Sequence, residues 1–118
     1  MERELISGKP VTHDHRELKS NGQQKDYVVL SDAERAKGFV RPVRCTYLHV
    51  GHDPVMDGTV LIKAGKSGCG CRTKMHIKIA ETYARDPSFY SSTFCVTCGV
   101  HRPLDEFVWE GTNEQVGS

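Results

Sequence analysis

The sequence predicts a small α+β domain built of short antiparallel strands, one helix of about three turns and an extended N-terminal arm. Three observations predict it. Apolar and β-branched residues come in short runs, "YVVL", "TVLIKAG" and "EFVW", separated by turn formers, the pattern of short strands. One segment, "RTKMHIKIAETYARDP", has helical periodicity, with Met75, Ile79 and Tyr83 four apart and Ala80 and Ala84 on the same stripe. Residues 1–26 show almost no apolar periodicity and many turn formers, so they read as an arm.

Taken in order, "YVVL" is a strand at Tyr27–Leu30. "SDAERAKG" offers Ser31 as an N-cap, Glu34 as its capping-box partner and Gly38 as a stop, giving about two turns of helix. "FVRPVRCTYLHV" reads as an edge strand, because Pro42 cannot donate to a ladder. "GHDPVMDG" is turn chemistry, and "TVLIKAG" after it is positioned to pair with that edge strand as a hairpin. The main helix takes Thr73 as its cap and ends before Pro87. "STFC" and "EFVW" flank a cysteine turn as two strands of a second hairpin, and "EGTNEQVGS" is a loose polar tail.

At 118 residues the chain is one domain in size. With 37% apolar and 26% charged residues, its core should be small enough for a covalent or metal staple to matter. The net charge of +1 provides no global field toward nucleic acid or anionic membrane. No apolar run approaches bilayer-spanning length, and the acidic "MERELISGKP" is unlike a signal peptide, so an intracellular protein without membrane contact is expected.

Five cysteines are too few for a disulfide scaffold and odd in number. In a reducing compartment, the Cys-x-x-Cys of "STFCVTCGVH" points to metal. A tight turn aims the thiolates of Cys95 and Cys98 at one centre, and Gly99 closes it. A thioredoxin-like redox pair would sit at a strand-to-helix junction, whereas here the chain leaves in a strand. The remaining ligands must come from upstream, where "GCGC" holds Cys69 and Cys71. Neighbours two apart diverge in an extended chain, so one of the two is a bystander.

The segments "YVVLSDAERAKGFVRPVR", "AETYARDPSFYSSTFCVTCGVHRP" and "EFVWEGT" resemble a group of small zinc-ribbon-like proteins of tailed bacteriophages and prophages, over about Gly8 to Gly111. In that group "RPVR" leads to a Tyr-x-His-x-x-Cys-Gly knuckle and a Thr-x-Met helix start. The resemblance places these on His49, Cys69, Gly70, Thr73 and Met75. This chain differs by about seventeen extra residues between His49 and Cys69, which read as a hairpin inserted at about 50–68. The resemblance thus implies a Cys3His site of His49, Cys69, Cys95 and Cys98 on a zinc-stapled domain at 27–111, between the arm (1–26) and the tail (112–118).

Cys71 is the rival fourth ligand, and His52 in the insert and His101 beyond the cysteine turn are lesser candidates. His101 is read as solvent-facing or as bracing a ligand from behind. His13 and His15 are read as solvated on the polar arm, His76 as exposed, and Cys45 as a small buried apolar residue. The expected ion is structural Zn2+, because three thiolates and one imidazole close the tetrahedron; iron enters only if all four ligands are cysteine. No HExxH, Walker loop, nucleophile elbow or deaminase His-x-Glu occurs.

The expected function is a non-enzymatic accessory protein in the host cytoplasm, working by contact with an unknown phage or host protein. A nucleic-acid-binding ribbon using Arg35, Lys37, Arg41 and Arg44 is the second expectation, although an ordinary solvated face is the plainer reading of that cluster. A small metal-dependent hydrolase or nuclease is the third and would need a vacant metal position.

Overall fold

The computed structural model describes residues 1–118, an elongated α+β body of 49 × 34 × 25 Å. Its strands are short and antiparallel. In chain order they are β1 (Arg3–Leu5), β2 (Val28–Leu30), β3 (Thr46–His49), β4 (Gly51–His52), β5 (Val55–Asp57), β6 (Val60–Lys63), β7 (Lys66–Ser67), β8 (Arg72–Lys74), β9 (Ser92–Cys95), β10 (Val100–Pro103) and β11 (Phe107–Trp109). Two α-helices, α1 (Asp32–Arg35) and α2 (Ile77–Arg85), complete the elements with 3₁₀ turns at His13–Arg16 and Leu104–Glu106. No helix is long and apolar enough to cross a membrane.

The central sheet has the order β11-β3-β8. Tyr47 of β3 lies opposite Trp109 and Thr73, and His49 lies opposite Phe107. Along β3, Tyr47 and His49 are buried while Thr46 and Leu48 are half-buried, the period-two alternation of a strand with one inner face. That inner face carries an aromatic cluster. Tyr47 meets Phe107 and Trp109 edge-on, and Tyr83 of α2 meets Trp109 edge-on at 5.6 Å. Met75, Ala80, Cys95, Leu104 and Val116 close this core. Only 22 of 118 residues are buried, so the apolar core is small for the chain.

α2 keeps the expected stripe: Tyr83, Ala80 and Ala84 are buried and Ile79 packs on the core. Its start differs from the expected one. His76 is the N-cap, its Nδ1 accepting the Lys78 N–H at 3.0 Å. Thr73 is instead drawn into β8 by the ladder with β3, and its Oγ1 accepts the Val96 N–H. α1 is capped by Ser31 as expected but spans a single turn; the Glu34 side chain pairs with Lys37 rather than closing the capping box.

The strand partners also differ from those expected. Phe39–Cys45 is irregular, with Val40 and Arg41 both donating to the Ala84 carbonyl, and only Thr46–His49 of that segment is strand. That strand is central, since Pro42 lies outside it. Residues 60–63 pair with 55–57 inside the insert, not with β3. "STFC" pairs with "VHRP", so β11 is free to cross to β3. The cysteine turn between β9 and β10 is tight enough to close a hairpin by itself.

The first 26 residues are not simply an extended arm. β1 pairs with β2, burying Leu5, and the 3₁₀ turn and a Leu18–Gln24 bridge fold the rest back. The tail also returns: Gln115 bridges Val108, the Val116 N–H donates to the Phe107 carbonyl, and Val116 is fully buried. Composition suggested looseness because both segments are polar. Each is anchored by backbone pairing and one apolar side chain.

Candidate metal centre

Four donor atoms converge between β3, the turn before β8 and the β9–β10 turn. The ring of His49 and the thiols of Cys69, Cys95 and Cys98 place one ligand atom each within 4.8 Å of one another. Cys69 Sγ lies 3.5 Å from Cys95 Sγ, and Cys98 Sγ lies 3.5 Å from His49 Nδ1. A tetrahedral ion with bonds of about 2.3 Å to sulfur and about 2.0 Å to nitrogen has ligand–ligand edges of about 3.5–3.8 Å, so these residues fit such an ion.

Each half of the cluster is a cysteine–glycine turn. Gly99 (φ +70°) follows Cys98 and donates to the Cys95 carbonyl at 2.8 Å, while the Cys98 N–H points at Cys95 Sγ. Gly70 (φ +73°) follows Cys69 and donates to the His49 carbonyl at 2.7 Å. Both glycines occupy the left-handed region, where a side chain would strain the turn.

The insert leaves these turns intact because its base is zipped. β4 pairs with β7, Gly51 opposite Ser67, which returns the chain to His49 after the β5–β6 hairpin and sets Cys69 beside the imidazole. His49 and Cys95 are buried, whereas Cys69 and Cys98 are exposed.

Behind His49 stands Glu106, a residue sequence reasoning did not single out. His49 Nε2–H donates to Glu106 Oε1 at 2.8 Å, leaving Nδ1 as the lone-pair donor toward the thiols. A histidine that ligates a metal usually hands its other N–H to a carboxylate in this way, which fixes the tautomer and strengthens the ligand. Glu106 is fully buried, and its second oxygen has no hydrogen-bond partner. Arg102 Nε donates to its first oxygen at 3.1 Å, and Lys66 lies 3.7 Å from the second. Burial pushes the Glu106 pKa up, but His49 and Arg102 outweigh it and hold the carboxyl below its ordinary value. The available signal was an acid placed directly before the apolar strand "FVW".

Among the thiols, burial pushes Cys95 up, yet the Cys98 amide and the neighbouring thiols outweigh it and leave it below its ordinary value. Cys98 is pushed up to about 11, first by its hydrogen bond with Cys95 and then by burial. Crowded thiols share protons this way; a divalent cation relieves the repulsion when all three ionise.

The other candidates lie elsewhere. Cys71 is exposed, its Sγ turned to the Cys69 carbonyl at 3.7 Å, as expected of a Cys-x-Cys neighbour. His52 faces Asp105 at 3.4 Å. His101 is hydrogen-bonded to the Tyr27 hydroxyl at 2.8 Å. Cys45 is half-buried against the core.

The basic cluster does not form a free face. Arg35 is buried, donating to the Leu30 carbonyl and to Glu81 and Asp32, with Glu4 at 3.6 Å. Lys37 pairs with Glu34 at 2.7 Å. Arg44 pairs with Glu114 and covers Trp109, and Arg41 reaches backbone carbonyls of Val40 and Ser118. Of the four, only Arg35 is turned inward, held by Glu81 from α2 as well as by the local Asp32, while Lys37 and Arg41 stay exposed.

No protein-family model, curated protein or solved structure matches the chain, so the resemblance to phage proteins rests on the quoted segments alone.

Proposed function

We propose that this chain is a non-enzymatic accessory protein of phage origin, a zinc-ribbon-like domain stapled by structural Zn2+ at His49, Cys69, Cys95 and Cys98, which works by contact with another protein. The single observation that carries the reading is the convergence of four donors, one imidazole and three thiols, within 4.8 Å of one another. Three thiolates and an imidazole favour zinc over harder ions, and with Cys71 turned away the all-cysteine iron alternative has no support. Four protein ligands leave no position for an activated water, which argues against the hydrolase reading.

Support for a protein partner comes from the insert. Every residue of β5 and β6 is exposed, and Val55, Met56, Val60, Leu61 and Ile62 are each about half exposed or more. A hairpin apolar on both faces is the pattern of a strand pair covered on both sides in its assembly. The basic-segment reading as a nucleic-acid ribbon loses support because Arg35, Lys37 and Arg44 are already paired with acids, which leaves Arg41 as its one cation without an acidic partner.

Elemental analysis of the purified chain should find one zinc per molecule. Cys71→Ser should keep it, while His49→Ala and Cys95→Ser should lose it. Metal-free protein that melts cooperatively in chelator, or zinc kept by His49→Ala and lost by Cys71→Ser, overturns the reading. For the partner, a photo-crosslinker in place of Ile62 should capture one dominant protein in infected cells; failure to crosslink removes the contact role.

A further inference from the structure

The chain holds a second concave surface that the metal centre does not use. Between the folded-back N-terminal segment, β10 and the loop after α2 lies a groove of about 520 Å³, within the range of ligand sites. Arg3, His15, Arg16, Tyr27, Phe89 and His101 line it, and none of its 12 lining residues is acidic. In a chain whose 16 basic residues are nearly matched by 15 acids, such a surface is a local concentration of positive charge.

Eight of the Lys and Arg side chains are held in ion pairs, but Arg3 and Arg16 are not among them. Among the nearby acids, Asp14 pairs with Lys25 at 2.7 Å, Glu4 approaches Arg35 and Glu2 accepts from Ser31, while Glu17, next to Arg16 in sequence, is exposed and does not line the groove. Arg3 is also oriented. Its guanidinium sits 4.8 Å over the Phe89 ring, and Phe89 in turn meets Tyr90 edge-on.

On the opposite wall, Tyr27 and His101 are joined by their hydrogen bond with rings 5.8 Å apart. Burial holds the His101 pKa below its ordinary value, so the arginines carry the charge. Exposed Ser91 and Ser92 add hydroxyl donors at the rim. Fixed aromatic and guanidinium planes beside unpaired arginines and hydroxyls match one ligand chemistry, a planar base attached to a phosphate.

We infer that this groove binds a nucleotide unit, with Arg3 and Arg16 on phosphate and the Arg3–Phe89 stack against the base. That unit comes either as a free nucleotide or within a single strand. The inference goes beyond the zinc-stapled contact role and uses none of the four metal-site residues. The two regions still touch. A Cβ on Gly22 would lie 1.9 Å from the Gly99 carbonyl, so the folded-back segment sits directly on the cysteine turn.

The test is amide NMR of the zinc-loaded full chain, titrated separately with adenosine monophosphate, a short oligothymidylate and inorganic phosphate. The expected result is shifts centred on residues 15–16, 89–92 and 101. Oligonucleotide binding at least about tenfold tighter than the mononucleotide assigns the single strand, with two phosphate contacts giving a salt slope of about −1.4. Equal affinities assign the free nucleotide.

Arg16→Gln should weaken binding about fivefold or more while leaving the free protein's amide spectrum unchanged beyond residues 14–18, because Arg16 is exposed and makes no ion pair. The inference is overturned if neither nucleotide ligand shifts these amides at millimolar concentration, if Arg16→Gln binds as the parent does, or if inorganic phosphate reproduces the shifts at equal concentration.

Discussion

Glu106 decides how well His49 can serve a metal. Its carboxylate fixes the imidazole with Nδ1 free, and the fully buried side chain cannot be replaced by water. Glu106→Gln keeps a hydrogen-bond acceptor but removes the charge, and should lower zinc affinity about 10- to 100-fold in a competition titration with a chromophoric chelator. An unchanged affinity would mean that His49 is oriented by packing on Phe107 alone, whose ring lies stacked 4.7 Å away. Arg35 is the second residue whose environment inverts its apparent role. It joins β2, α1 and α2 through Leu30, Asp32 and Glu81, so Arg35→Met leaves those acids without their cation. Because the acids left behind are partly or largely exposed, the loss should cost about 1.5 kcal/mol in urea unfolding, chiefly the charge-assisted hydrogen bonds of the buried guanidinium. A change within a few tenths would place the pair in the weak class of surface ion pairs.

At the level of elements, one carboxylate makes most of the charged contacts between the insert and the body, beside the longer approach of Lys66 to Glu106. Asp105 gathers Lys63 and Lys66 from the hairpin, with His52 at 3.4 Å. Its pKa is lowered, chiefly by the hydrogen bond from Lys63. A carboxyl with a depressed folded-state value contributes fully above its ordinary 3.8 and loses the contribution as pH falls through the lower value. The hairpin should therefore stay docked throughout neutral and mildly acidic solution. Asp105→Asn removes the clamp at neutral pH, and amide exchange across residues 55–63 should quicken about two- to fivefold, the scale of a partly exposed pair. Exchange at the parent rate would show that the β4–β7 zipper alone holds the insert.

For the whole molecule, the core is small, so a metal held by the four-donor cluster would carry much of the stability. A structural zinc contributes about 10 kcal/mol or more to folding, comparable to the entire stability of a domain, about 5–15 kcal/mol. The chain buries only 22 residues, and Cys95 belongs to both the aromatic core and the donor cluster. Calorimetry should therefore show one cooperative transition with zinc and none in excess chelator. A transition unchanged by chelator would mean that the aromatic core of Tyr47, Tyr83, Phe107 and Trp109 suffices alone.

Local chemistry determined the parts of this protein that depend on neighbours in sequence. The helical stripe of α2, the Ser31 cap and the Cys95–Gly99 turn were legible because a period of 3.6, a cap and a tight turn are decided within a few residues. Tertiary structure alone decided the rest. It drew Thr73 out of the helix into β8, paired β11 with β3 rather than β9, anchored the polar arm and tail, and supplied Arg35 with distant acids. Those outcomes turn on which segments meet across tens of residues, and Glu106 acquires its role only because β11 lies against β3 and sets it behind His49.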